Sequence, residues 1–137
     1  MKKTTKIILK SVSMIIVCLV LVFALLVAGV QLFGLKVYTV LSPSMEPEYK
    51  TGAIIYVKKV EPSELKTGDV ITYVVSDDTT VTHRIVGIEK EDGIIYFKTK
   101  GDANKSVDNG RVHMNNVLGK PIFKIPYLGY AASFVTT

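Results

Sequence analysis

Residues 11–35 carry no charged side chain, and no other feature limits so strongly what this chain can fold into. The centre of the run, Val12 to Phe33, would span about 33 Å as a helix, against a hydrocarbon thickness of roughly 30 Å. Lys2, Lys3, Lys6 and Lys10 precede it, and only Lys36 follows closely. Positive charge concentrated on one flank predicts a cytoplasmic segment over residues 1–10, an anchor over 11–35, and the remainder on the far side of the bilayer. A cleavable leader is the competing reading, since Val27-Ala28-Gly29 offers small residues at a cut site. The apolar part of such a leader is about 7–15 residues, so the longer run favours a retained anchor.

The formal net charge of +5 does not describe the rest of the chain. From Lys36 onward there are 13 basic and 12 acidic residues, interspersed. No basic, aromatic-laced face is available, which excludes nucleic acid as an expected partner. The only cysteine is Cys18, inside the apolar run, so neither a disulfide within the chain nor a cysteine-based metal site is expected. No zinc signature, phosphate loop or dinucleotide fingerprint occurs, and nothing calls for a cofactor.

Beyond the anchor the patterning is that of strands. Residues 35–41, 53–59, 70–75, 80–89, 94–100 and 117–123 are rich in β-branched and aromatic residues, separated by clusters of turn residues. Glu91-Asp92-Gly93 reads as a hairpin turn. Residues 101–116 are polar and rich in Asn and Gly, which predicts a loop, and Pro121 predicts an edge position for the last strand. No stretch after the anchor shows helical periodicity over 11 or more residues. The expected fold class is therefore mainly β, with an N-terminal transmembrane helix followed by a β-domain over residues 36–124. Residues 125–137 form an apolar tail too short to span a bilayer, readable as a surface-lying segment or the approach to a further span.

Several residues in this domain could carry chemistry. Ser44 lies between Pro43 and Pro47, on a stretch that cannot continue as a helix or central strand. Such a site suits an exposed nucleophile, and equally an ordinary turn. His83 shares a strand face with Val81 and Ile85, where a histidine is either a hydrogen-bonded core residue or a base. His113 falls in the polar loop and reads as solvent-exposed. Asp102 and Asp108 lie in a Gly-Asn-rich stretch where aspartates commonly turn the chain. Together these residues offer the three parts of acyl transfer: a hydroxyl, an imidazole to take its proton, and a carboxylate to orient the imidazole. Spacing alone does not bring them together.

Ser42-Pro43-Ser44-Met45-Glu46-Pro47, Thr82-His83-Arg84-Ile85-Val86 and Lys100-Gly101-Asp102-Ala103-Asn104 with Asp108 resemble, in order, the boxes of type I signal peptidases. The likeness is to the endoplasmic-reticulum-type branch, also found in archaea and some Gram-positive bacteria, and it covers nearly the whole chain. It implies a signal-peptidase-like β-domain and a membrane-bound serine endopeptidase acting on signal-peptide-bearing preproteins at the bilayer. It implies small substrate residues at −1 and −3, an extended substrate along a strand edge, and no cofactor or metal. It implies Ser44 as nucleophile, His83 as base, Asp108 as the residue orienting His83, and Asp102 as a second essential carboxylate organising the loop. The reverse assignment of the two aspartates is the alternative. The oxyanion would be met by the Ser44 backbone N–H, with the Ser42 hydroxyl as helper. Pro43 departs from the glycine common between the two serines, which bears on that oxyanion site. Two other readings stay open: a Ser-Lys dyad using Lys58, Lys59, Lys98 or Lys100, and a non-catalytic anchored β-domain for assembly or adhesion. Partner subunits are not indicated either way.

Overall fold

The structure, a computed structural model, describes residues 2–126. It divides into two compact units, residues 1–34 and 35–137. The first is α1 (Lys2–Leu32), a helix of 31 residues. Ile15, Leu21 and Phe23 are all more than half exposed along it, and an apolar surface all round suits a lipid environment. Among the described residues it is the one helix long and apolar enough to cross a membrane. The helix takes in the four lysines, which are good helix formers, and so starts nine residues before the uncharged run. It stops short of residue 35. Gly34 takes a positive φ of 68° and its N–H donates to the Gln31 carbonyl, closing the C-terminus. Leu35 already belongs to a strand.

The second unit is mainly β. Its strands are β1 (Leu35–Thr39), β2 (Ile54–Lys58), β3 (Val70–Ser76), β4 (Thr79–Glu91), β5 (Ile94–Lys100), β6 (Val112–His113) and β7 (Val117–Ile125). They form one antiparallel sheet in the order β1-β2-β7-β3-β4-β5-β6. Three single three-ten turns, at Pro43–Met45, Pro62–Glu64 and Met114–Asn116, complete the unit. The β4–β5 hairpin turns at Asp92 and Gly93, with φ of 49° and 80°, the left-handed pair a two-residue hairpin loop requires.

Two expectations are corrected. β7 is not an edge strand, because it lies between β2 and β3. Pro121 is tolerated there because the β2–β7 register shifts beside it: Tyr56 faces Phe123 and Val57 faces Pro121. A bulge is one of the few interior places where a missing N–H does little harm. The 101–116 stretch is also not wholly loop, since Val112 and His113 pair with Phe97 and Tyr96. A two-residue strand is too short to show alternation. The expected tail over 125–137 begins with the last residue of β7, and residues 127–137 lie outside the described part.

Burial follows strand alternation on β2, β4 and β5, while Ile71, Thr72 and Tyr73 on β3 are all buried. Ile71, Tyr73, Ile85, Phe97, Leu65 and Val112 form one core cluster; Met45, Tyr49, Ile55 and Val57 form another. Ile71 faces His83, Tyr73 faces Val81 and Ile85 faces Thr99 across β3, β4 and β5. Directly paired residues share a face. Tyr73, His83 and Thr99 are therefore polar intruders on the buried face of the sheet.

Candidate active site

Ser44 sits on the three-ten turn Pro43–Met45, which Pro43 opens. Proline suits a first helical position because the N–H it lacks has no partner there in any case. Ser42, ahead of it, is extended at φ −135° and ψ 158°, the geometry a following proline imposes. The turn is held at its far end by Met45, which is 1 % exposed in the second core cluster. Ser44 itself is half-buried.

The turn is also tied to the Gly-Asp stretch after β5. The Ala103 N–H donates to the Ser44 carbonyl at 2.9 Å, and the Asp102 N–H approaches Met45 Sδ at 3.4 Å. Gly101 permits this closeness, since a Cβ there would lie 2.6 Å from the Ser44 carbonyl oxygen.

His83 lies across from the turn on β4, 8 % exposed. Its Nε2 is 3.0 Å from Ser44 Oγ, and its Nδ1 is 2.5 Å from Asp108 Oδ2. An ionised carboxylate can only accept, so the Nδ1 proton points at Asp108 and Nε2 presents its lone pair to the serine hydroxyl. With the Ser44 proton committed to Nε2, the Ser42 hydroxyl, 2.9 Å away, donates to Ser44 Oγ. The Ser44 N–H has no partner within the three-ten turn and is available as a donor. The arrangement can deprotonate a serine, hold the resulting imidazolium against a carboxylate, and offer donors to a developing oxyanion.

Asp102 stands elsewhere. It forms a two-pronged pair with Arg84, Nε to Oδ1 at 2.8 Å and a terminal nitrogen to Oδ2 at 2.7 Å. Arg84 also donates to the Gly68 carbonyl at 2.8 Å. Those Arg84 hydrogen bonds hold the Asp102 carboxyl below its ordinary value. Asp102 thus braces β4 against the Gly-Asp stretch, while Asp108 meets the imidazole.

The lysines of the Ser-Lys reading face other groups. Lys98 is 3.7 Å from Glu89, Lys100 donates to the Gly101 carbonyl at 3.2 Å, and Lys58 and Lys59 are exposed. Among the described residues none of them hydrogen-bonds Ser44. His113 accepts from the Asn115 N–H at 3.0 Å and takes no part in the site.

Two residues around Asp108 carry no flag in the sequence. Thr99 Oγ1 donates to Asp108 Oδ2 at 2.8 Å, and the Tyr73 hydroxyl approaches the same oxygen at 3.3 Å. Polar side chains at strand positions alternating with core residues were the available signal, once the strand register was known.

Residues 11–116 match the family model described as signal peptidase, peptidase S26. Signal peptidase I W of Bacillus subtilis (strain 168) is 42 % identical over 82 % of this chain and 63 % of its own length. The human signal peptidase complex catalytic subunit SEC11C is 30 % identical over 80 % of this chain and 67 % of its own. The chain thus spans about two thirds of the length of these relatives, and the matched span contains the serine turn, the histidine strand and the Gly-Asp stretch. A family match over most of the sequence, with the serine, histidine and aspartate brought within hydrogen-bonding distance, makes the chain a member of the peptidase S26 family of signal peptidases.

Proposed function

We propose that this protein is a membrane-anchored serine endopeptidase that removes N-terminal signal peptides from exported preproteins. The observation that carries the reading is the unbroken series from Ser44 Oγ to His83 Nε2 at 3.0 Å and from His83 Nδ1 to Asp108 Oδ2 at 2.5 Å. Ser44 attacks the scissile carbonyl as His83 takes its proton. The imidazolium is stabilised by Asp108 and then protonates the leaving amine. The tetrahedral oxyanion is met by the Ser44 N–H and the Ser42 hydroxyl, which swings from Ser44 Oγ to the substrate oxygen. A water, deprotonated by the same histidine, releases the acyl group. Asp102 acts through Arg84 as a brace and not on the imidazole.

Residues 11–35 serve as the anchor, residues 36–124 as the catalytic domain, and residues 1–10 face the cytoplasm, the last supported by the four lysines. The enzyme then works at the outer face of the cell membrane. A shared membrane raises the effective concentration of a bilayer-inserted substrate. The test is to co-express the chain with a candidate preprotein and sequence the product. The expected result is one new N-terminus following a small residue, with Ser44→Ala leaving the preprotein whole. An uncut preprotein, or one cut equally by Ser44→Ala, overturns the proposal.

A further inference from the structure

Among the described residues, every hydrogen bond accepted by the Asp108 carboxylate falls on Oδ2. His83 Nδ1, Thr99 Oγ1 and the Tyr73 hydroxyl converge there at 2.5, 2.8 and 3.3 Å. Tyr73 and Thr99 are also 3.1 Å from each other. Thr99 has a single proton, and if it goes to Asp108 the Thr99 oxygen can only accept from Tyr73. The single Tyr73 proton is then shared between Thr99 Oγ1 and Asp108 Oδ2, so both hydroxyls direct their protons toward the oxygen that also accepts from His83 Nδ1.

Asp108 needs such support. It lies on a largely exposed stretch, with its own side chain 25 % exposed, and these hydrogen bonds fix its orientation. Thr99 holds it twice. The Thr99 carbonyl accepts from the Asp108 N–H at 2.9 Å, and the Thr99 hydroxyl fixes Oδ2. Thr99 is 2 % and Tyr73 6 % exposed, so water does not compete for these bonds. The Tyr73 ring also meets His83 edge-on, at 6.5 Å between centroids.

We propose that Thr99, backed by Tyr73, is a positioning residue that holds the Asp108 carboxylate against His83 and so keeps the imidazole proton on Nδ1. The proposal rests on the reading of Ser44, His83 and Asp108 given above. Burial pushes the Tyr73 phenol up to about 12, which keeps it a donor. Among the described residues Thr99 hydrogen-bonds neither the serine nor the imidazole.

The test uses the full chain in detergent micelles, as parent, Thr99→Val, Thr99→Ser and Tyr73→Phe. Two readouts are taken: steady-state cleavage of a preprotein, and ring-nitrogen NMR of histidine at a pH where the rings are neutral. The sequence holds only His83 and His113, so two ring spectra are expected and His113 serves as the internal control. Thr99→Val should lower kcat about 10- to 100-fold with KM little changed. It should also move the His83 ring from the Nδ1–H form to a mixture of tautomers while His113 stays put. Thr99→Ser restores both readouts, and Tyr73→Phe gives a smaller change in the same direction. An unmoved His83 tautomer in Thr99→Val overturns the proposal, as does Thr99→Ser being as impaired as Thr99→Val. If Thr99→Val fails to fold, the proposal stands or falls on whether Tyr73→Phe shifts the tautomer. Loss of the enzymatic reading is seen separately, as a parent protein that does not cleave or a Ser44→Ala variant that does. The tautomer readout needs no activity.

Discussion

Three donors on one oxygen make a specific demand of position 108. An amide placed there can put its oxygen where Oδ2 stood, because an NH2 group would oppose the His83 Nδ1 proton and force both hydroxyls to reverse their bonds. Asp108→Asn should then keep the imidazole tautomer and lose only the negative charge that stabilises the imidazolium. Asp108→Ala loses both, and should lower kcat by about 10⁴-fold. The asparagine variant should fall between alanine and parent; an asparagine variant as slow as alanine would mean that the amide NH2 faces His83. The sequence named Ser44, His83 and Asp108 but not Tyr73 or Thr99. The first three stand in motifs whose chemistry is visible one residue at a time. A buried tyrosine and threonine on strands look like ordinary core until their neighbours across the sheet are known.

Those neighbours are set at the scale of the element, by two bulges. Around the Asp92-Gly93 turn Ile88 pairs with Phe97, and uninterrupted continuation would set Ile85 opposite Lys100. The irregularity between Ile85 and Gly87 sets Ile85 opposite Thr99 instead, and so brings Thr99 to the face that carries His83. A second irregularity, between Val74 and Ser76, puts Ile71 rather than Thr72 opposite His83. Strand existence was legible from composition. Bulge positions were not, although a glycine inside a strand, such as Gly87, is a known hint. Loop geometry gives two predictions. Gly101→Ala places a Cβ against the Ser44 carbonyl oxygen, a backbone atom that cannot move without moving the nucleophile. A misplacement of that order should cost about 10²-fold in kcat/KM, and parent-level turnover by the variant would show that the serine turn and the Gly-Asp stretch need not touch. The Arg84–Asp102 brace should show in acid. Arg84 lowers the Asp102 carboxyl below its reference value of 3.8, so the folded state favours the charged form. This contribution is full above that reference value and is lost as pH falls through the lowered one. Thermal unfolding of Asp102→Asn should lie below the parent at neutral pH, with the gap closing below about pH 4. A gap of constant size down to pH 2 would contradict the brace.

At the scale of the whole molecule, one apolar helix and one mainly β unit share a chain whose basic excess lies at its start. The charge asymmetry predicts which end is inside. Cys18 is the only native cysteine, so a Cys18→Ser background allows single-site labelling. A cysteine placed by Asp77→Cys, in the exposed β3–β4 turn, should react with a membrane-impermeant thiol reagent in intact cells, and one placed by Lys3→Cys should react only after lysis. The opposite pattern would reverse the orientation. The central claim, that a histidine and not a lysine activates Ser44, is tested most directly by kcat/KM on a preprotein. The purified full-length parent would be compared with His83→Ala and with Lys58→Ala, Lys59→Ala, Lys98→Ala and Lys100→Ala. The hydrogen bond from Ser44 Oγ to His83 Nε2 predicts that His83→Ala loses about 10⁴-fold or more while the four lysine variants cleave like the parent. Substantial cleavage by His83→Ala, with activity lost in one of the lysine variants, would contradict it.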